Sequence, residues 1–185
     1  MSGGMNELFR SGPQQFLSSH PLNTQPDPSL VAVQPGVLRL NLVAEGSCGA
    51  MALTTVKKAP EAMSIASHAF NAYYLPWQAR AKPSVQLGLE ADYFFTAAIT
   101  GCRLIISGGG LPAVTHVDGG FFSDQQMNAL CNTRANGTNT TAMRYWDNGA
   151  FYATIVMGVR NGSTWKFYAQ SYNPDSRPPL DTQEI

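Results

Sequence analysis

From residue 36 onward, apolar and polar positions alternate with the two-residue period of half-buried strands. The run 37–43, Val-Leu-Arg-Leu-Asn-Leu-Val, shows this most cleanly, and 65–74, 93–99, 103–106 and 113–117 are short β-branched or aromatic stretches divided by turn residues. Two longer strands, 151–159 and 164–172, flank Asn161-Gly162, residue types that tolerate the positive φ of a tight hairpin turn. One window, 123–130, reads as a helix, with Ser123 placed to cap its first turn and Asp124 near the positive end of its dipole. Ahead of these, residues 1–35 carry Pro13, Pro21, Pro26, Pro28 and Pro35 among Gly, Ser, Gln and Asn, which predicts a mostly irregular arm with a single helical turn at 6–10. The pattern predicts an α+β, predominantly β fold: a sandwich of mixed and antiparallel strands with one or two short flanking helices, residues 36–185 forming one domain behind the arm.

Composition narrows the function classes. A chain of 185 residues is long enough for one buried core. Twelve basic and twelve acidic side chains leave no net charge to draw the protein to nucleic acid or an anionic membrane, so recognition has to be local. No stretch is apolar for long enough to span a bilayer, and residues 1–10 lack the basic start and apolar middle of a secretory signal, which predicts non-classical export. The three cysteines, 48, 102 and 131, have no metal-type spacing and are odd in number, so no disulfide framework, metal or cofactor is expected and at least one thiol is free. The Asn-x-Ser/Thr triplets at 136, 139 and 161 read as turn chemistry.

The chemistry concentrates on Cys102 and His116. Between them lie one strand-like stretch, the turn Ser107-Gly108-Gly109-Gly110-Leu111-Pro112, and a second strand-like stretch. If the two stretches pair as an antiparallel hairpin, their open ends meet and thiol and imidazole come together. A thiol is mostly protonated at neutral pH, so a working cysteine needs such a base beside it. Cys48 in its Gly-rich loop and Cys131 at the end of the helical window read as packing residues, while His20 in the proline-rich arm and His68, read as a buried or hydrogen-bonded histidine of another strand, have no cysteine in a comparable pairing geometry. Gly101 permits close backbone approach at the thiol, Gly109 is expected to offer an unobstructed N–H opposite it, and Trp77, after Pro76, is a candidate wall of the cleft.

The run Tyr93-Phe94-Phe95-Thr96-Ala97-Ala98-Ile99-Thr100-Gly101-Cys102, followed by the Gly-rich turn and Val114-Thr115-His116-Val117-Asp118, resembles the active-site stretch of the Burkholderia lethal factor, a glutamine deamidase toxin itself similar to the catalytic domain of the cytotoxic necrotizing factors. Leu75-Pro76-Trp77 upstream is similar to an element of the same toxin, and Thr100 stands where that toxin has Ser. The likeness covers about forty-five residues, 74–118. It implies a bacterial effector, held in the bacterial cytoplasm before export and acting in the host cytosol. Cys102 would be the nucleophile, His116 the base and acid, and Thr96 the residue orienting the imidazole, with Asp118, two positions on from His116, as the competing orienter. The partner it implies is a host protein, the translation initiation helicase or a Rho-type GTPase being the targets in that family, and the protein is expected to act as a monomer. A cysteine protease or transglutaminase on the same site, and a non-catalytic protein- or carbohydrate-binding module, remain the alternatives.

Overall fold

A computed structural model describes residues 3–24, 30, 33–45, 50–55, 68–123, 125, 126, 129, 146, 147, 150, 151, 153–172 and 179–185. The expectations for Cys48, Cys131, Asp124, residues 65–67 and the triplets at 136 and 139 fall outside these residues.

Among the described residues two helices, α1 (Gly3–Ser11) and α2 (Pro13–Ser19), precede thirteen strands: β1 (Leu22–Asn23), β2 (Gly36–Glu45), β3 (Ala50–Thr55), β4 (Phe70–Leu75), β5 (Ser84–Gln86), β6 (Tyr93–Thr96), β7 (Arg103–Ser107), β8 (Ala113–Val117), β9 (Trp146–Asp147), β10 (Ala150–Phe151), β11 (Ala153–Asn161), β12 (Thr164–Tyr172) and β13 (Pro179–Glu184). Eight form one sheet in the order β1-β3-β2-β4-β6-β11-β12-β13, three form a second in the order β5-β8-β7, and β9 pairs with β10. The fold is thus α+β and β-rich, as the alternation predicts. No helix among the described residues is long and apolar enough to cross a membrane.

Strand alternation sorts the large sheet's side chains into two layers. On one face Leu40, Leu42, Phe70, Ala72, Tyr74, Phe95, Ile155, Met157 and Tyr168 pack under the helices with Phe9, Phe16 and Leu17. On the other, Tyr73, Leu75, Phe94, Val156, Phe167 and Ala169 meet Val85, Leu104, Ile106 and Val114 of the small sheet.

The helices correct the expectation of an irregular arm. Pro13 does not break a helix; it begins α2, where its missing N–H costs nothing and its fixed φ suits the first turn. Phe9, Phe16 and Leu17 then lie almost wholly buried, so the amino-terminal segment is part of the core. In the window 123–130, Gln125, Gln126 and Ala129 are helical. Ser123 Oγ accepts the Gln126 N–H at 3.3 Å while the Gln126 side chain accepts the Ser123 N–H at 2.8 Å, a reciprocal cap. The β11–β12 hairpin closes with Asn161 opposite Thr164, so the turn's positive φ, 62°, falls on Gly162 and Asn161 remains a strand residue.

The connectivity that builds the site could not be read from pairwise patterns. β4 and β6 run parallel and adjacent, and the chain between them crosses to the small sheet to form β5 before returning. After β6 it crosses again: Ile99 bridges to Thr154 of the large sheet, and by Arg103 the chain has entered β7 of the small one. Cys102 sits on that second crossing, beyond the carboxyl ends of two parallel strands and at the seam between the sheets.

Candidate active site

Strands β7 and β8 pair antiparallel with Arg103 opposite Val117 and Leu104 opposite His116. Extending that register places Cys102 across from Asp118 and on the diagonal from His116, all three on the face carrying Leu104, Ile106 and Val114. Diagonal neighbours of this kind lie about 7–8 Å apart at the backbone, within reach of an imidazole. The hairpin expected around the Gly-rich turn therefore forms, and its open end carries thiol, imidazole and carboxylate on one side.

Backbone features at this end require glycine. Gly101 adopts φ 135°, a conformation that side-chain-bearing residues rarely enter. A Cβ on Gly119 would stand 1.9 Å from the Gly101 carbonyl oxygen, so the loop after β8 can lie against the Cys102 segment only without a side chain. The close approach brings the Gly119 N–H to the Cys102 sulfur.

Cys102 is a free thiol, 7% exposed. Burial pushes its pKa up and the Asp118 carboxylate adds to this, against hydrogen bonds from the Gly119 and Thr100 backbone and the Trp77 side chain. His116 is 1% exposed, and neither ring nitrogen has a hydrogen-bond partner among the described residues. Burial pushes its pKa down to about 4, with Asp118 pulling the other way. At neutral pH the two are therefore thiol and neutral imidazole rather than a preformed ion pair. Asp118 is itself sequestered. Burial pushes its carboxyl up, but the N–H groups of Arg80 and Gly120, the Trp77 side chain and nearby His116 outweigh this and hold it below the usual range. The Arg80 N–H donates at 2.7 Å and the Gly120 N–H at 3.0 Å. Arg80 reaches Asp118 from a left-handed conformation, φ 58°.

The remaining expected residues separate. Thr96 ends β6 and falls on the side of the large sheet that faces the small one, as Phe94 does. Its hydroxyl oxygen accepts the Val156 N–H at 3.1 Å, and no hydrogen bond joins it to His116. Trp77, 42% exposed, lines the cleft beside Cys102 and touches both the sulfur and the Asp118 carboxylate. Gly109 is corrected. It lies at the closed end of the hairpin, a strand's length of about 17 Å from Cys102, because a loop joining two antiparallel arms sits at the end opposite their termini. The neighbouring Gly110 packs there against Ser163.

In front of Cys102 opens a cleft of about 420 Å³, walled by Tyr74, Trp77, Ala97 and Thr100 and closed by Thr24 and Leu30 from the amino-terminal segment. Those last two, with Arg80 and Gly119, are the site residues that sequence reasoning missed; only the Gly119-Gly120 turn gave any signal. No group of His, Cys, Asp and Glu among the described residues is arranged to hold a metal. The chain matches no model of a known protein family and no curated protein with which it was compared.

Proposed function

We propose that this protein is a glutamine deamidase acting on a host protein, with Cys102 as nucleophile and His116 as general base and acid. The observation that carries the reading is a buried imidazole, free at both nitrogens among the described residues, on the same hairpin face as a free thiol that opens onto a cleft. Buried polar atoms without partners are rare in folded proteins and collect where a ligand or reacting group completes them. The likeness to the lethal factor stretch supplies the reaction class.

The chemistry follows from those groups. The Cys102 S–H proton passes to a nitrogen of His116 as sulfur bonds to the carboxamide carbon, and the carbonyl π electrons move onto oxygen. The thiol's own donors, the Gly119 N–H and the Trp77 side chain, stand beside the new oxyanion. Collapse breaks the C–N bond; the nitrogen takes the proton from His116 and leaves as ammonia. Water then gives a proton to His116 and adds to the thioester, and the sulfur departs, regaining its proton and leaving glutamate. Hydrogen bonds of this kind are commonly long in an unliganded site and tighten around substrate.

Incubating the wild type and a Cys102→Ser variant with eukaryotic lysate, then mapping modified peptides by mass spectrometry, tests the reading. Gln-to-Glu conversion confined to the wild type is the expected result. Cleaved peptides or incorporated amines would instead assign a protease or a transglutaminase, and conversion by the variant would remove Cys102 from the mechanism.

A further inference from the structure

We infer that Thr24, delivered by the amino-terminal segment, is the residue that recognises the substrate carboxamide, so that this segment is a built part of the site and selects a neutral amide on an apolar stem. The inference rests on the deamidase reading and adds the source of its selectivity.

Thr24 follows β1, which is held in the large sheet by parallel pairing of Leu22 and Asn23 with Met51 and Ala52 of β3. Its side chain is 2% exposed, its Oγ1 has no hydrogen-bond partner among the described residues, and it lines the same cleft as Cys102. A hydroxyl taken from water and left unpaired destabilises the fold, and one that borders a cavity is completed by whatever enters. A hydroxyl both donates and accepts, which suits a carboxamide, itself both donor and acceptor.

The rest of the lining defines the other half of the ligand. Leu30, Tyr74, Ala97 and Ala98 offer apolar walls for a methylene stem, and Thr100 adds a second hydroxyl near the thiol. Among the described residues the lining contains no charged side chain. A glutamate carboxylate would therefore enter without a cation to meet it, and the nearby Asp118 charge opposes it further. The same features admit the neutral amide and expel the acidic product. The volume, about 420 Å³, falls within the roughly 300–1,000 Å³ common for ligand clefts and accommodates one side chain with its adjoining backbone.

The test uses full-length Cys102→Ser protein, which removes the nucleophile, titrated with Nα-acetyl-glutamine methylamide while the Trp77 indole N–H resonance is followed. A saturable shift is expected with this compound and none with its glutamate counterpart. Adding Thr24→Val should weaken binding roughly fivefold to tenfold, the loss of about one hydrogen bond, whereas Thr24→Ser, which keeps the hydroxyl, should stay within about twofold. Thermal unfolding of Thr24→Val should be no lower than the parent's, since the change deletes an unpaired buried hydroxyl. Equal affinity in Thr24→Val, or binding of the glutamate compound as tight as glutamine, overturns the inference. Intact, Thr24-dependent binding together with failure of the wild type to convert glutamine in lysate would bring down the catalytic reading alone.

Discussion

The two faces of the large sheet differ in how completely they match buried polarity. Under the helices it is matched. Gln170, 1% exposed, accepts the Leu22 N–H and donates to the Leu17 and His20 carbonyls, tying α2 and β1 to β12. Asn6 of α1 donates to Asn41 and accepts the Leu42 N–H, which β4 leaves open because it pairs with β2 only from Gly36 to Leu40. Toward the small sheet matching is incomplete: the Thr96 hydroxyl accepts the Val156 N–H and the Thr154 and Ser171 hydroxyls pair, but both nitrogens of His116 and Trp165 Nε1 stand unmatched, as does Thr24 Oγ1 of the cleft-lining Thr24. Matched groups fix geometry, whereas unmatched ones cost stability and are kept where something else binds. The unmatched His116 and Thr24 set the site apart from the scaffold more sharply than residue type does, since both faces carry an aromatic and aliphatic core.

Breaking the contrast from the site side gives the largest effect. Cys102→Ala should lower glutamine conversion by at least about a thousandfold, because the thiol carries the covalent step, while the urea unfolding midpoint stays close to the wild type's. An active Cys102→Ala protein would leave the unmatched imidazole without a role.

On the scaffold side, Gln170→Leu should cost about 3 kcal/mol in urea unfolding, because it strands the Leu22 N–H and the His20 carbonyl in the core and leaves the Leu17 carbonyl only the Thr182 hydroxyl. A change below about 1 kcal/mol would show those groups to be otherwise paired.

Acid sharpens the comparison next. His116 titrates at 6.5 in the unfolded chain and at about 4 in the folded one, so between these values the unfolded state binds more protons. Stability is then full above pH 6.5 and lost as pH falls through about 4, a total of about 3 kcal/mol. Asp118, held below its ordinary 3.8, adds its own loss only under that pH. Unfolding curves across the window should show this slope in the wild type and lack it in His116→Leu. At neutral pH His116→Leu should be inactive yet more stable by about 1 kcal/mol, an exchange expected of a residue retained for chemistry. A destabilised His116→Leu protein would mean the imidazole is matched after all.

The smallest effect concerns Trp77. Trp77→Phe keeps the ring in the cleft but removes a donor from the Cys102 sulfur, so the pH profile of iodoacetamide labelling at Cys102 should move upward. An unmoved profile would restrict Trp77 to walling the cleft.

Much of the fold was legible locally. The alternation at 37–43 lies within β2, and 113–117 and 164–172 coincide with β8 and β12, since a two-residue period and turn residues act through neighbours in the chain. The amino-terminal helices were not legible: α1 and α2 are 9 and 7 residues long, too short to hold on propensity, and form because Phe9, Phe16 and Leu17 have a sheet to cover. The parallel pairing of β4 with β6 escaped for a related reason, being fixed by long-range packing rather than by a turn; β3 and β13 were missed although each pairs with the strand just before it in the chain.

By itself, then, the sequence determined a β-rich α+β chain and a hairpin with thiol and imidazole at its open end, because strand period, turn chemistry and register over a short loop are local properties. Only the tertiary structure decided that Gly119 would lie against Gly101, that Gly109 would sit at the far end, and that Thr24 and Leu30 would close the cleft. Those outcomes depend on which surfaces must be buried together, and burial is a property of the whole chain.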